Sequence, residues 1–349
     1  MKKGINLLLL FMPMSLFFHY YYEGSIWVFV TASLAIIPLA AKMTCITDKI
    51  ANFIGPAHGG LLNVTFGNAT ELIISFFAIL NGLLNVVKAA ITGSILMNLL
   101  LVLGLSFFVG GLKHRTQKFD RLIAITNSTM LMLAVIAMLI PAIFYFASSN
   151  IKTIILGRLS IGVGLILFAT YLSSLYFTLV IHENELERKS THNVYKENEN
   201  VFILIIMLLL STSLIALEAN ILVGSINNIS EKLNVSPVFI GIIVLPIISN
   251  VAENYTAINM AHKDKIDLSI NIAVGSSIQV SLFLVPLLIF ISHLIGKPMN
   301  VLFNVLEIST IFISVLAINV VYLQGKSNWF EGLQLIAAYL IIAIAFYYA

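Results

Sequence analysis

The stretch Phe66-Gly67-Asn68-Ala69-Thr70-Glu71-Leu72 sets an amide and an acid inside an otherwise apolar run. The stretch Ile248-Ser249-Asn250-Val251-Ala252-Glu253-Asn254 does so again 182 residues later. The same shift superposes Gly59 on Gly241, Gly93 on Gly275 and Ser94 on Ser276. Generic likeness among hydrophobic helices would match Leu and Ile. The matched positions here are polar or glycine, which points to an internal repeat.

The 349 residues are 59% hydrophobic and 10% charged. Soluble domains run near 45–50% apolar and about 25% charged, so the chain reads as an all-α integral membrane protein. Closed barrels would show short alternating strands instead. A hydrocarbon core about 30 Å thick takes roughly 20 apolar residues per crossing. Eleven stretches qualify: 5–22, 25–41, 56–80, 87–112, 121–147, 154–181, 201–222, 237–260, 267–295, 300–323 and 329–348. The expected organisation is a leading helix (1–24), a first five-helix repeat (25–181), an acidic loop (182–200) and a second five-helix repeat (201–349). Matched helices lie five spans apart, so the second repeat is inverted and a site is expected at the repeat interface near the midplane.

Alternating the sides puts fourteen of the nineteen Lys and Arg residues with the amino terminus. The positive-inside rule then places that terminus and the 182–200 loop in the cytoplasm, and the carboxyl terminus outside the cell membrane. Residues 5–18 after Lys2-Lys3 resemble a secretory signal, but His19-Tyr20-Tyr21-Tyr22-Glu23 puts bulky groups where a cleavage site needs small ones, so an uncleaved first helix is expected. The single cysteine, Cys45, excludes a disulfide framework or a Cys-based zinc site. A net charge of +3 excludes a nucleic-acid partner. A homo-oligomer is compatible with the sequence, which carries no signal for one. No cofactor is called for.

An acid at the bilayer centre costs on the order of 2.5–3.5 kcal/mol on insertion scales, a burden that structure alone seldom justifies. The plain alternative is two neutral acids hydrogen-bonded within the bundle. Asn68 and Asn250 each precede their Glu by three residues, so each pair projects from nearly one helical face. Two carboxylates and two amide carbonyls are ligands for a hard cation; Ca²⁺ takes six to eight oxygens. Gly59-Gly60, Gly67 and Pro246 are placed to loosen these helices and release backbone carbonyls. Ser94 and Ser276 follow their Glu by 23 residues, and Gln279 follows Ser276 on the same face. Either serine would equally suit close helix packing. Asn98 lies one position beyond the mate of Gln279; Met97 holds the equivalent place. Glu218 and Glu307 are weaker candidates for proton passage. His58 and His293 read as packed or interfacial, and the acidic loop as a solvated face or, more sharply, a calcium sensor.

Together, Gly67-Asn68-Ala69-Thr70-Glu71-Leu72 with Gly93-Ser94-Ile95-Leu96, and Ser249-Asn250-Val251-Ala252-Glu253 with Gly275-Ser276-Ser277-Ile278-Gln279, resemble the cation/proton exchanger branch of the calcium/cation antiporters. The resemblance spans nearly the whole chain. The second motif departs from the usual Gly-Asn-Ala-Ala-Glu-His in having Ser249, Val251 and Asn254, and many relatives have Ser where Met97 stands. The resemblance implies that Glu71 and Glu253 bind Ca²⁺ and protons in alternation, with Asn68, Asn250, Ser94, Ser276 and Gln279 lining the site. The expected function is a secondary active antiporter exporting cytosolic Ca²⁺ against protons. The alternative within the superfamily is a sodium/calcium exchanger, whose branch typically shows Gly-Thr/Ser-x-Pro-Glu; neither Thr70 nor Ala252 is proline. A passive cation channel is a further alternative, disfavoured by the repeat. An intramembrane hydrolase would need an Asp pair, a Ser with a base, or H-E-x-x-H, and His182-Glu183 lacks the second His.

Overall fold

The computed structural model describes residues 7–148, 153–177 and 200–349. The 182–199 loop and the side chain of His58 lie outside what is described. The helices are α1 (Phe11–Tyr21, after a 3-10 turn Leu8–Leu10), α2 (Ile26–Ile54), α3 (Pro56–Gly67), α4 (Ala69–Leu80), α5 (Leu84–His114), α6 (Arg121–Ala147) and α7 (Thr153–Tyr176). Then follow α8 (Val201–Gly224), α9 (Ile226–Leu233), α10 (Pro237–Ser249), α11 (Val251–His262), α12 (Ile266–Leu294), α13 (Val305–Gln324) and α14 (Trp329–Tyr348).

Among the described residues, eight helices are long and apolar enough to cross a membrane, or nine with the bent pair α9–α10 counted as one span. The expected count of eleven is therefore not reached by length and composition. Leu8–Tyr21 is a shorter apolar helix, and the expected third span is divided into α3 and α4. The expected eighth span is likewise divided, at Asn250, between α10 and α11. The second span runs further than its apolar part: α2 continues through Lys42, Asp48 and Lys49. Charge does not end a helix; Gly55 at φ 86° followed by Pro56 does.

Burial separates core from rim. The central windows of α5 and α12 are 72% and 67% buried, whereas those of α6, α7, α8 and α14 are 33% or less. The outer helices turn Ile136, Ile140, Ile166, Leu209, Leu210 and Ile341 outward, as a lipid-facing surface requires. Small residues set the closest approaches. A Cβ at Gly332 would lie 2.4 Å from Phe108 N, and one at Gly93 would lie 2.0 Å from Ile242 O, so α14 and α10 touch α5 backbone to backbone there.

The connections gather at two ends. At one, a two-stranded antiparallel ribbon pairs β1 (Thr116–Lys118) with β2 (Lys326–Asn328), Thr116 opposite Asn328. The purely helical expectation contained no such ribbon. Its buried Gln117 donates through Nε2 to Ala261 O at 2.9 Å and Asp264 Oδ1 at 2.8 Å, and Lys113 Nζ reaches His262 O at 3.2 Å. The ribbon thus clasps the carboxyl end of α11. At the other end, Lys232 Nζ donates to Gly24 O at 2.6 Å, Lys297 Nζ to Leu80 O at 2.5 Å, and Asn85, Val238 and Leu302 line one cavity.

Candidate cation site

Both motif asparagines stand at helix interruptions. Asn68, between α3 and α4, has φ −101° and ψ 19°; Asn250, between α10 and α11, has φ −110° and ψ 12°. These values fall in the bridge region, outside regular helix. The carboxylates of Glu71 and Glu253 follow in the first turn of α4 and α11. Asn and Glu therefore share a site because the helix breaks between them, rather than by lying on one continuous helical face. The loosening expected near Gly67 and Pro246 appears as the breaks themselves, one residue after Gly67 and four residues after Pro246. Repeat mates also share backbone form in the supporting helices: π-helical turns span Met97–Val102 in α5 and Val280–Leu284 in α12.

The two repeats exchange ligands. Asn250 Nδ2 donates to Glu71 Oε1 at 2.6 Å, Ser94 Oγ reaches the same oxygen at 2.5 Å, and Ser249 Oγ lies 3.5 Å away. Asn68 Nδ2 donates to Gln279 Oε1 at 2.8 Å. Across Gly67, a Cβ would sit 3.6 Å from Gln279 Oε1 and 3.8 Å from Glu253 Oε1. The two carboxylates lie within electrostatic reach of each other. Three buried oxygens here (Asn68 Oδ1, Glu71 Oε2 and Glu253 Oε2) have no hydrogen-bond partner among the described residues. A buried polar atom left unpaired costs about 1–3 kcal/mol, and converging oxygens with no donor suit a hard cation.

The two acids differ in access. Glu253, Ser276 and Gln279 line a crevice of about 360 Å³ that continues past Gly67, Asn63, Asn271 and Thr256 to Thr44, Thr47 and Asp48, toward the ribbon end. Glu71 borders a cavity of only about 10 Å³, closed in by Ile74, Ile91, Leu245, Pro246 and Leu284. Such a space holds at most about one water.

Of the candidates read from the sequence, Glu71, Glu253, Asn68, Asn250, Ser94, Ser276 and Gln279 are brought together. Asn98 is not. It is buried in the π-helical turn with Nδ2 unpartnered among the described residues. Glu218 lies apart on α8, where Ser15 Oγ of the leading helix stands 2.8 and 2.6 Å from its two carboxylate oxygens. Glu307 accepts from Asn304 N at 2.8 Å in a capping box, a role legible in the spacing Asn304-x-x-Glu307. His293 bonds Ile289 O through Nδ1 at 2.8 Å. Sequence reasoning did not find Asp48, Asn63, Thr256 and Asn271 on the crevice wall. Their common signal was polarity within apolar helices. Asn254 and Met97, two departures from the motif, face each other, Nδ2 to Sδ at 3.8 Å.

A bundle of apolar helices with two mated interruptions around a pair of acids, one buried and one facing a crevice, fits a membrane transporter of the exchanger class. The chain belongs to the sodium/calcium exchanger family, whose pattern matches residues 24–180 and 203–348. It is 41% identical to the Ca(2+)/H(+) antiporter of Aphanothece halophytica, over 98% of this chain and 95% of that protein. Its structure resembles that of native YfkE with a TM-score of 0.86 and 36% identity, covering 99% of this chain and 100% of that one. The H+/Ca2+ exchanger CAX shares the fold at a TM-score of 0.72 and 13% identity, over 99% and 92% of the two chains.

Proposed function

We propose that the protein is a secondary active antiporter that exports cytosolic Ca²⁺ in exchange for protons by alternating access between two inverted repeats. The observation that carries this reading is the junction at Glu71 and Glu253: two mated acids linked across the repeats, one facing a crevice and the other sealed. Relatives named for Ca²⁺/H⁺ exchange, similar along nearly the full chain, support the choice of ions.

The chemistry follows from charge. Two carboxylates balance one Ca²⁺, and two protons neutralise the same pair, so either loaded form can cross a low-dielectric barrier. The empty, doubly ionised pair is penalised by burial and mutual repulsion. Asn68, Asn250, Ser94, Ser276 and Gln279 supply or orient the remaining oxygens. The Lys and Arg distribution supports a cytoplasmic ribbon end, and with it a crevice that opens to the cytoplasm.

The repeat supports the motion. Of the ten residues around the sealed cavity, Glu71, Ile74, Ala90, Ser94, Leu245 and Ser249 are the 182-shift mates of crevice residues Glu253, Thr256, Ile272, Ser276, Asn63 and Gly67. One set surrounds a shut space and the other an open one, as expected of a single conformation that exchanges with its mirror.

The test is Ca²⁺ flux in proteoliposomes driven by a pH gradient. Glu71→Gln and Glu253→Gln should each abolish it while monodispersity and helix content stay at wild-type values. Flux retained in both variants overturns the site. Flux driven by a sodium gradient and not by a proton gradient overturns the coupling ion.

A further inference from the structure

The crevice below Glu253 contains another acid. Asp48, near the carboxyl end of α2, shares it with Thr44, Asn63, Thr256 and Asn271. These neighbours are neutral and oxygen-bearing, and no Lys or Arg lines the crevice among the described residues. Asp48 is exposed to this space and lies within electrostatic reach of Glu253. The opposite end is built differently. Its cavity of about 290 Å³ holds an acid and a base together: Glu307 and Lys88, whose Nζ donates to Asn300 Oδ1 and Leu302 O at 2.6 Å each, whereas the crevice holds its acids with no base among the described residues. The 182-shift mate of Asp48 is Ser230, so the repeat does not require an acid here.

We propose that Asp48 is a capture residue for divalent cations. It draws the ion into the crevice and holds it, still hydrated, among Asn63, Asn271 and Thr44 before transfer to the paired glutamates. Coulomb attraction scales with the charge of the ion, so the same carboxylate favours a divalent over a monovalent cation at the mouth. An acid inside a low-dielectric cleft focuses field lines and raises local cation concentration, and salt screens the effect. This inference rests on the cation-binding reading of Glu71 and Glu253.

The test uses the full chain in liposomes with the ribbon face outward, measuring proton-driven Ca²⁺ flux against Ca²⁺ concentration at low and high ionic strength. Asp48→Asn should raise KM about three- to tenfold with kcat within about twofold. It should also flatten the rise of KM with salt seen in the wild type. Asp48→Glu should restore both. A KM and salt dependence unchanged in Asp48→Asn, or a loss confined to kcat, overturns the capture role. Because both variants read KM, a folding defect, which lowers only the active fraction, falls in kcat and does not imitate the expected result. Glu253→Gln run alongside separates the two claims: retained flux there overturns the site itself, whereas abolished flux with an unaltered Asp48→Asn overturns capture alone.

Discussion

The half-site around Glu71 and the half-site around Glu253 start from the same motif and end in opposite states. Around Glu71 the helices touch: Gly93 on α5 stands so close to Ile242 on α10 that a Cβ would lie 2.0 Å from its carbonyl oxygen. The mate of Gly93 is Gly275, which meets nothing within 4 Å and instead faces the crevice. The wall chemistry differs as well. Asn63 and Thr256 on the open side become Leu245 and Ile74 on the shut side. An apolar wall closes dry and a polar wall stays wet. The repeat supplies the geometry of a passage twice, while the packing of α5 against α10 and the polarity of the walls differ between the two copies.

This asymmetry can be broken in graded ways. The largest effect is expected from charge: Glu71→Gln and Glu253→Gln should each reduce pH-driven Ca²⁺ flux to background, although only one of the two acids faces the crevice. Next, Gly275→Leu should leave the fold intact but wedge the open side, so that transport fails while Ca²⁺ binding, followed by calorimetry, persists. Its counterpart Gly93→Ala should instead lower stability by about 1–3 kcal/mol through overpacking against Ile242, whereas Gly275→Ala stays within about 1 kcal/mol; thermal unfolding in detergent reads both. Equal costs at the two glycines would remove the claimed difference. Third, Asn250→Ala deletes a bond to a charged oxygen and should weaken Ca²⁺ binding at least about tenfold, while Asn68→Ala, which deletes an amide–amide bond, should cost less. The smallest effect belongs to Glu307→Ala, which removes a capping box at α13 and should lower stability by about 0.5–1 kcal/mol without changing the Ca²⁺ KM.

Much of this was legible in the sequence, for physical reasons. Asn68, Glu71, Asn250 and Glu253 are costly in lipid, so their presence in apolar runs marks the candidate site from the sequence alone. Ser94 and Ser276 were legible through the repeat, and Gln279, whose mate is the apolar Met97, through its place three residues after Ser276 on the same helical face. What escaped were features decided by tertiary contact. Thr116-Gln117-Lys118 and Lys326-Ser327-Asn328 are too short and too polar to show a strand period, and each pairs with a partner about 200 residues away. The extension of α2 past Lys42 was hidden because hydropathy reports the membrane, not the helix. The interruptions at Asn68 and Asn250 were foreshadowed by nearby glycine and proline, but the exact residue was not, since bridge-region backbone is open to most residue types. Which half-site is closed depends on the packing of α5 against α10, and no local pattern encodes that.

The ribbon has a consequence for the order in which the molecule is made. Its second strand emerges only after residue 326, when both acid-bearing helices are already synthesised, so the grip of β2 on the clasp at the foot of α11 is among the last long-range contacts to form. Synthesis thus joins early and late segments of the nascent chain across the bundle late, with only α14 still to follow.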